Sequence, residues 1–578
     1  MLPLFFGDTG GSHNPFAVNQ PTPAIIAQNA VRRLPRIALL LFCVAYVLPG
    51  FIGREPWKNS DIGAFGYMLD LASGATSWLA PRVLGQAPDF DGLLAYWLGA
   101  WAIQAAPAWI APDFAARVPF ILLLVLTLFS TWYGIYFLAR SPQAQPLAFA
   151  FGGEAEPTDY ARAVADGGLL ALIASLGLAQ LSHETTPALA QLSFSALTMF
   201  GIAALPYRNL LAGAGLLVGL AGLSLSGAPW MALLFGVGGA TISLLDRPDD
   251  LQARERGLRS VSLIAAGTLA AASLAWVLDL WQWRIDPGLL KRDALAFGRF
   301  LVWFAWPAWP LALWTLWRWR RQLTSRHVAL PLWFLTLALV AALVTPTADR
   351  ALLLGLPALA TLAAFALPTL KRSVASLIDW FTLLFFSGLA LVIWVIWLSM
   401  QTGVPAQPAA NIVRLAPGFV PSFSLWALVA ALAATLAWAW LVKWRARRHR
   451  AEIWKSVVLP AAGAALCWLL MMTLWMPVLD YARSYAPLVR NVGRLIDAPG
   501  CVEVHGLTQA QLAAFRFHSA LLLRPASRPA ACPWMLVGAD ARHSASLAID
   551  MHQWRQLAVV GRPSDRDDNL LLFRRASR

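Results

Sequence analysis

Apolar residues come in long stretches along this chain, and a helix needs about 20 of them to cross a hydrocarbon core. The stretches predict spans near residues 35–53, 118–139, 165–182, 187–205, 209–225, 228–245, 259–280, 299–317, 327–345, 349–368, 376–400, 420–442 and 456–476. That makes about thirteen. Three regions keep a different pattern, one of them the 281–298 loop with Trp281, Trp283, Arg284, Asp286, Lys291 and Arg292. Residues 54–117 hold two amphipathic stretches, 61–73 and 92–106, which read as helices lying at the membrane surface. Beyond Pro477 the apolar runs are too short to span. There the pattern predicts a helix at 483–497, a strand at 501–505, a helix at 508–516 and strands at 519–523, 534–537, 556–560 and 569–573. The chain reads as a polytopic α-helical membrane protein with a small α/β domain at its C-terminal end. Its expected parts are a leader over 1–34, a membrane module over 35–476 and the extra domain over 477–578.

Composition agrees. Of 578 residues, 58% are hydrophobic and 13% charged, too few polar groups to cover a soluble surface. Trp, which favours the membrane–water boundary, occurs 29 times. The formal charge of +15 would suit nucleic acid if it lay on one face. It lies instead in short clusters between apolar runs, so nucleic acid is excluded as a partner.

Those clusters set an orientation. With the N-terminus cytoplasmic, every second loop should be rich in Lys and Arg. Such loops hold Arg140 and Arg162; Arg208; Arg247, Arg254, Arg256 and Arg259; Arg318, Arg320, Arg321 and Arg326; Lys371 and Arg372; and Lys443 to Arg450. The alternate loops at 183–186, 226–227 and 401–418 are nearly free of bases. Arg32, Arg33 and Arg36 precede the first apolar run and no small-residue cleavage site follows it, so that run reads as a signal anchor. An odd number of spans then puts the C-terminal domain outside, in the periplasm of a Gram-negative host, with the chain in the inner membrane. Cys43 and Cys467 fall inside spans as packing residues. Cys501 and Cys532 share the outer domain, where a disulfide is compatible with the compartment; their spacing alone does not decide it.

Candidate chemistry concentrates outside the spans, which carry almost no acids. The polar residues gather in the first outer loop. It opens with Gly-Arg-Glu-Pro-Trp-Lys-Asn-Ser-Asp over 53–61, continues with Pro-Asp-Phe-Asp-Gly-Leu-Leu-Ala-Tyr-Trp-Leu over 88–98, and ends on Arg117-Val118-Pro119. In that order the segments resemble the aminoarabinose transferase-like and protein O-mannosyltransferase-like members of the GT-C glycosyltransferase superfamily. There, an acidic Trp-x-x-Asp-Glu-type motif heads an interfacial helix after the first span. A Lys-Pro-Pro-Leu-x-Tyr-Trp-Leu segment and an Arg-Leu-Pro segment follow. Asp349-Arg350 before Leu352 to Pro357 is similar to a later polar turn of that family. Three departures stand out. The paired acid is Ser60-Asp61, Gly63 and Ala64 replace Arg-Tyr, and Asp91 falls where the family has Lys, with Asp89 nearby.

The resemblance implies a GT-C-type enzyme that moves a sugar from a polyprenyl-phosphate donor to a lipid, glycan or protein acceptor. Its partners would be that donor, the acceptor and membrane lipids. Asp61 is then the expected base for the acceptor hydroxyl. Arg54, Lys58, Arg117 and Arg350 are the expected phosphate binders, since phosphate accepts bidentate guanidinium bonds. Asp89, Asp91, Tyr96 and Asp349 are further candidates for substrate contact. No Cys/His spacing suggests a bound metal, and a divalent cation assisting the phosphate stays open.

Each residue also has a plainer reading. Asp61 can cap its helix, Asp89 and Asp91 can be turn residues beside Gly92, and Arg117 or Arg350 can snorkel to headgroups. Asp349 can pair with Arg350, and His183 with Glu184 can form a solvated turn. Two rival functions stay open as well, a transporter or flippase of lipid-linked sugars and a non-catalytic assembly partner of the same fold.

Overall fold

Proline and glycine punctuate the helices. Pro112, Pro157, Pro187 and Pro229 each open one, at a position where the missing N–H would have been unpaired anyway. The computed structural model describes residues 22–89, 92–246, 251–282, 294–447, 452–496, 500–527, 529–541 and 551–576. Within them, seven helices are long and apolar enough to cross a membrane, or up to nine if two bent helix pairs count as one span each. The pairs are Pro157–Ala174 with Leu176–His183, bent by 63°, and Leu295–Phe304 with Ala308–Arg318, bent by 93°. The remaining expected runs carry shorter apolar helices, Arg36–Val47, Asn209–Leu225, Pro229–Leu245 and Leu356–Thr369. The chain is thus a mostly helical, multi-pass membrane protein.

Small residues let the helices approach closely, as lipid-embedded packing requires. A Cβ on Gly201 would come within 2.7 Å of the Leu216 backbone, and one on Gly219 within 2.8 Å of the Thr198 backbone. Those contacts join the Pro187–Ala204 and Asn209–Leu225 helices. The loop after the first helix folds as two short helices, Ser60–Ala72 and Leu94–Ala105, as their amphipathic pattern predicts. Both are packed rather than merely resting on a surface, since Gly99 sits against the Met68 side chain. The next long helix starts at Pro112, about six residues earlier than hydropathy suggested. Asp113 in its first turn favours the helix dipole there, and Arg117 becomes a residue of the helix rather than its border.

The C-terminal unit keeps the expected order. After the Met476–Arg483 and Ala486–Leu495 helices come strand β1 (Cys501–His505), the Gln509–His518 helix, and strands β2 (Leu522–Pro525), β3 (Trp534–Gly538), β4 (Trp554–Arg562) and β5 (Asp565–Arg575). Thr508 and Gln511 close a reciprocal capping box at the start of the middle helix. The sheet runs β2-β1-β3-β5-β4, parallel through β1, β2 and β3 and antiparallel at β3–β5 and β4–β5. A disulfide joins Cys501 and Cys532, whose Cα atoms are 5.3 Å apart.

This unit docks on the first loop through small residues. Gly63 and Gly66, one turn apart on the Ser60–Ala72 helix, face Ala510 and Ala513 on the Gln509–His518 helix. A Cβ on Gly66 would meet the Ala513 Cβ at 2.4 Å. Arg516 adds a 3.0 Å bond to Asp70.

Candidate functional site

Asp61 is the second residue of the Ser60–Ala72 helix and is 1% exposed. It does not cap that helix. Its Oδ2 accepts from Arg54 Nη1 at 2.6 Å and from the Trp57 backbone N–H at 3.1 Å, while Oδ1 accepts from the Thr185 N–H at 2.7 Å and hydroxyl at 2.6 Å. Burial by itself would raise the Asp61 pKa. The charges of Arg54 and Arg117 and the Thr185 bonds outweigh it and hold the carboxyl below the usual carboxylate range.

Arg54 is spent on this frame. Its other N–H groups reach the carbonyls of Gly50 (2.9 Å), Glu55 (3.3 Å) and His183 (2.6 Å). Arg117 is also buried, bonded to Asp113 at 3.0 Å, and does not snorkel to the surface.

The solvated turn expected at His183 and Glu184 is instead packed inside, the two residues being 2% and 6% exposed. His183 packs against Gly50 and Trp468, and its Nε2 lies 3.1 Å from the Tyr46 carbonyl. Glu184 accepts from Gln180 Nε2 at 3.3 Å and has Arg350 Nη2 at 3.6 Å. Arg350 therefore turns to Glu184 rather than to Asp349, which is half-buried on the same short helix. Burial, then the neighbouring Asp61 charge, pushes the Glu184 carboxyl up to about 7 against the pull of Arg350.

Two cavities flank this buried group. The larger, about 600 Å³, is polar, and the first loop lines it with Lys58, Asn59, Ser60, Tyr67, Asp89 and Tyr96. Thr186 and Pro187 add to the wall, and the C-terminal unit supplies Tyr485, Gln509, Asp565 and Asp568. Lys58 Nζ lies 2.6 Å from Asp565 Oδ2, and Gln509 Nε2 bonds Asp89 Oδ1 at 3.0 Å. The smaller cavity, about 240 Å³, is an apolar groove whose walls include Ile173, Leu176, Leu389, Trp468 and Met471, with Trp57, Gln180 and Arg483 also lining it. Trp57 to Ser60 and Gln180 to Thr186 thus separate the two, and Asp61 and Thr185 are bonded inside that wall.

Of the residues expected from sequence, the structure gathers Arg54, Lys58, Asp61, Arg117 and Arg350 around the wall, and Asp89 and Tyr96 in the polar cavity; Glu184, expected only as a solvated turn, joins the first group. Asp91 lies outside the described residues. Among the described residues, no group of three or more His, Cys, Asp and Glu side chains is placed to hold a metal ion. The sequence reading missed Thr185, Asp565 and Arg483. For Thr185 a signal was present. Ser182 to Thr186 is a run of five polar residues at the end of an apolar helix, where polar groups are costly.

No protein-family model and no curated protein matches the sequence. Solved structures do match. ArnT from Cupriavidus metallidurans in the apo state aligns over 93% of this chain and 97% of its own, with a TM-score of 0.57 at 13% identity. The form of that protein bound to undecaprenyl phosphate aligns over 94% and 98%, with the same TM-score at 14% identity. Over nearly its whole length, then, the chain has the fold of the ArnT structures.

Proposed function

We propose that this chain is a membrane glycosyltransferase. It moves a sugar from a polyprenyl-phosphate donor to an acceptor at the outer face of the inner membrane. The observation that carries the reading is the position of Asp61, in a wall with a polar cavity on one side and an apolar groove on the other. A lipid-linked sugar needs both environments at once, an apolar slot for the isoprenoid and a polar chamber for the sugar and the incoming hydroxyl. The ArnT structure with undecaprenyl phosphate supports the same class of donor. A transporter would need polar groups lining a path through the spans, whereas the larger cavity is lined by the first loop and the C-terminal unit.

In the reaction, the acceptor oxygen attacks the anomeric carbon and the carbon–oxygen bond to phosphate breaks. The electron pair leaves on the phosphate, and the configuration inverts. The hydroxyl proton passes to Asp61 as the Thr185 hydroxyl yields its place on Oδ1. An acid held below its usual range is a weak base, which suits a proton taken late, after the attacking oxygen has become acidic. Arg54 and Arg117 fix Asp61. Lys58, which lines the cavity, is the phosphate's partner on that side, and Arg350 serves Glu184. The unit over 477–578 completes the chamber and selects the acceptor, a lipid, glycan or protein. Glu184 supports a second assignment of the base, because its carboxyl near 7 matches the working pH and Oε2 accepts no hydrogen bond.

The test is transfer in vitro from a polyprenyl-phosphate sugar, with Asp61→Asn as the control. The reading expects transfer by the native chain and none by the variant. Full activity of the variant removes Asp61 from the reaction, and no transfer by the native chain from any such donor removes the enzyme.

A further inference from the structure

Three of the four cations expected to hold phosphate are already committed to carboxylates inside the fold: Arg54 to Asp61, Arg117 to Asp113 and Arg350 to Glu184. The fourth, Lys58, faces the polar cavity and pairs with Asp565. Arg483 differs from all of them. It closes the Met476–Arg483 helix, lines the apolar groove and is only half-buried. Its guanidinium carbon lies 5.2 Å from the centre of the Trp57 ring, against which Arg54 also rests at 4.8 Å.

Among the described residues, no carboxylate comes within 4.0 Å of the Arg483 guanidinium and no acceptor hydrogen-bonds it. Asp480, on the same helix, is occupied elsewhere, its Oδ1 taking the Trp57 indole N–H at 2.9 Å and the Glu55 N–H at 2.9 Å. A guanidinium laid on an aromatic ring keeps its N–H edge free for a planar, bidentate acceptor. A groove of about 240 Å³ with Phe386, Trp468 and Met472 in its walls accepts a section of hydrocarbon chain.

We propose that Arg483 and the groove together bind a lipid phosphate: the chain lies among Phe386, Trp468 and Met472, and the phosphate oxygens take the Arg483 N–H edge beside Trp57. The inference rests on the glycosyltransferase reading for the identity of that lipid as a polyprenyl phosphate. The same chemistry would recognise the phosphomonoester of an ordinary membrane lipid, so the experiment separates the two sources.

The full chain, purified in detergent, is titrated with a short polyprenyl phosphate, with the matching isoprenol, and with phosphatidic acid against phosphatidylcholine, and binding is read by native mass spectrometry. Arg483→Gln should weaken polyprenyl phosphate binding at least about 10-fold, the scale of one lost charged hydrogen-bond pair. Arg483→Lys should fall between, and the isoprenol should bind weakly to all forms. Ala179→Phe, which narrows the groove from a different wall residue, should cost a similar factor. Unfolding temperatures without lipid should match the native chain.

Polyprenyl phosphate binding that ignores both substitutions overturns the Arg483 site and leaves the glycosyltransferase reading standing. Arg483-dependent binding of phosphatidic acid, with none of polyprenyl phosphate, keeps the site and overturns the donor. Equal binding of the isoprenol overturns the phosphate contact, and no binding of any lipid overturns both proposals.

Discussion

Lys58 and Asp565 lie 507 residues apart in sequence, yet their side chains meet at 2.6 Å on the wall of the polar cavity. The pair joins the loop that opens the membrane module to the hairpin that closes the chain. Arg562 also reaches Asp565, so the aspartate is shared between a cation of its own hairpin and one of the loop.

That sharing makes Asp565 a competitor for Lys58. Lys58 is about one-third exposed, and an exposed ion pair contributes at most about 1 kcal/mol, near fivefold in binding. Lys58→Gln should therefore raise the KM for an anionic donor up to about fivefold. Asp565→Asn should lower it, because the ammonium no longer has a carboxylate to leave. Both effects should shrink in molar salt. If the two variants shift KM in the same direction, Lys58 does not meet the donor's charge.

The contact between Gly66 and Ala513 makes a packing prediction. A methyl on Gly66 would meet the Ala513 Cβ at 2.4 Å, so one of the two helices must move. Gly66→Ala should destabilise docking by about 1–3 kcal/mol and speed limited proteolysis between the membrane module and the C-terminal unit. Ala513→Gly in the same chain should restore resistance by removing the opposing methyl. Failure of that rescue would show that the helices are held by something other than this contact.

Hydropathy made the helical runs and the strands of the C-terminal unit legible, because both depend on local apolar period. What sequence could not reach was burial across distance. His183 and Glu184 look like a solvated turn, and only the arrival of Gly50, Trp468 and Arg350 from elsewhere in the chain makes them internal. Gly63 and Ala64 looked like losses from a motif. The structure gives Gly63 a use, since it and Gly66 leave room for the Gln509–His518 helix, whose chain then brings Asp565 and Asp568 to the cavity. The sequence offered Asp61 as the expected base. That its four donors leave it facing neither cavity directly was not legible, because Thr185 comes from a loop 124 residues away.

The Arg54–Asp61 pair is buried on both sides, each side chain being 1% exposed. Breaking such a pair from one side leaves a bare charge and costs about 3–5 kcal/mol. Asp61→Asn and Arg54→Gln should each lower the unfolding temperature markedly, and the double variant should be far less destabilised than the sum of the two. Additive losses would mean the two groups do not share an energy. A transfer assay on the double variant then separates fold from chemistry. It should remain inactive even where its stability recovers.

Glu184 supplies the pH signature. Its folded-state pKa near 7 stands above the 4.5 usual for glutamate, so the folded protein prefers the protonated form. The stability this contributes is complete below pH 4.5 and is lost as pH rises through about 7. Glu184→Gln keeps the neutral shape and removes the titration. The difference between native and variant unfolding temperatures should grow from near zero at pH 4.5 to a plateau above pH 7, with the variant the more stable there. Curves that stay parallel across this window would show that Glu184 ionises as it does in water. The same pair of proteins decides the base. Asp61, held below the usual range, is ionised throughout pH 5 to 8, so transfer that depends on it alone is flat there. Transfer that depends on Glu184 rises through about pH 7 and disappears in the Gln variant. A flat profile with an active Glu184→Gln enzyme assigns the proton to Asp61. A rising profile with an inactive one moves it to Glu184 and leaves Asp61, locked by Arg54 and Thr185, as the group that positions the wall between the cavities.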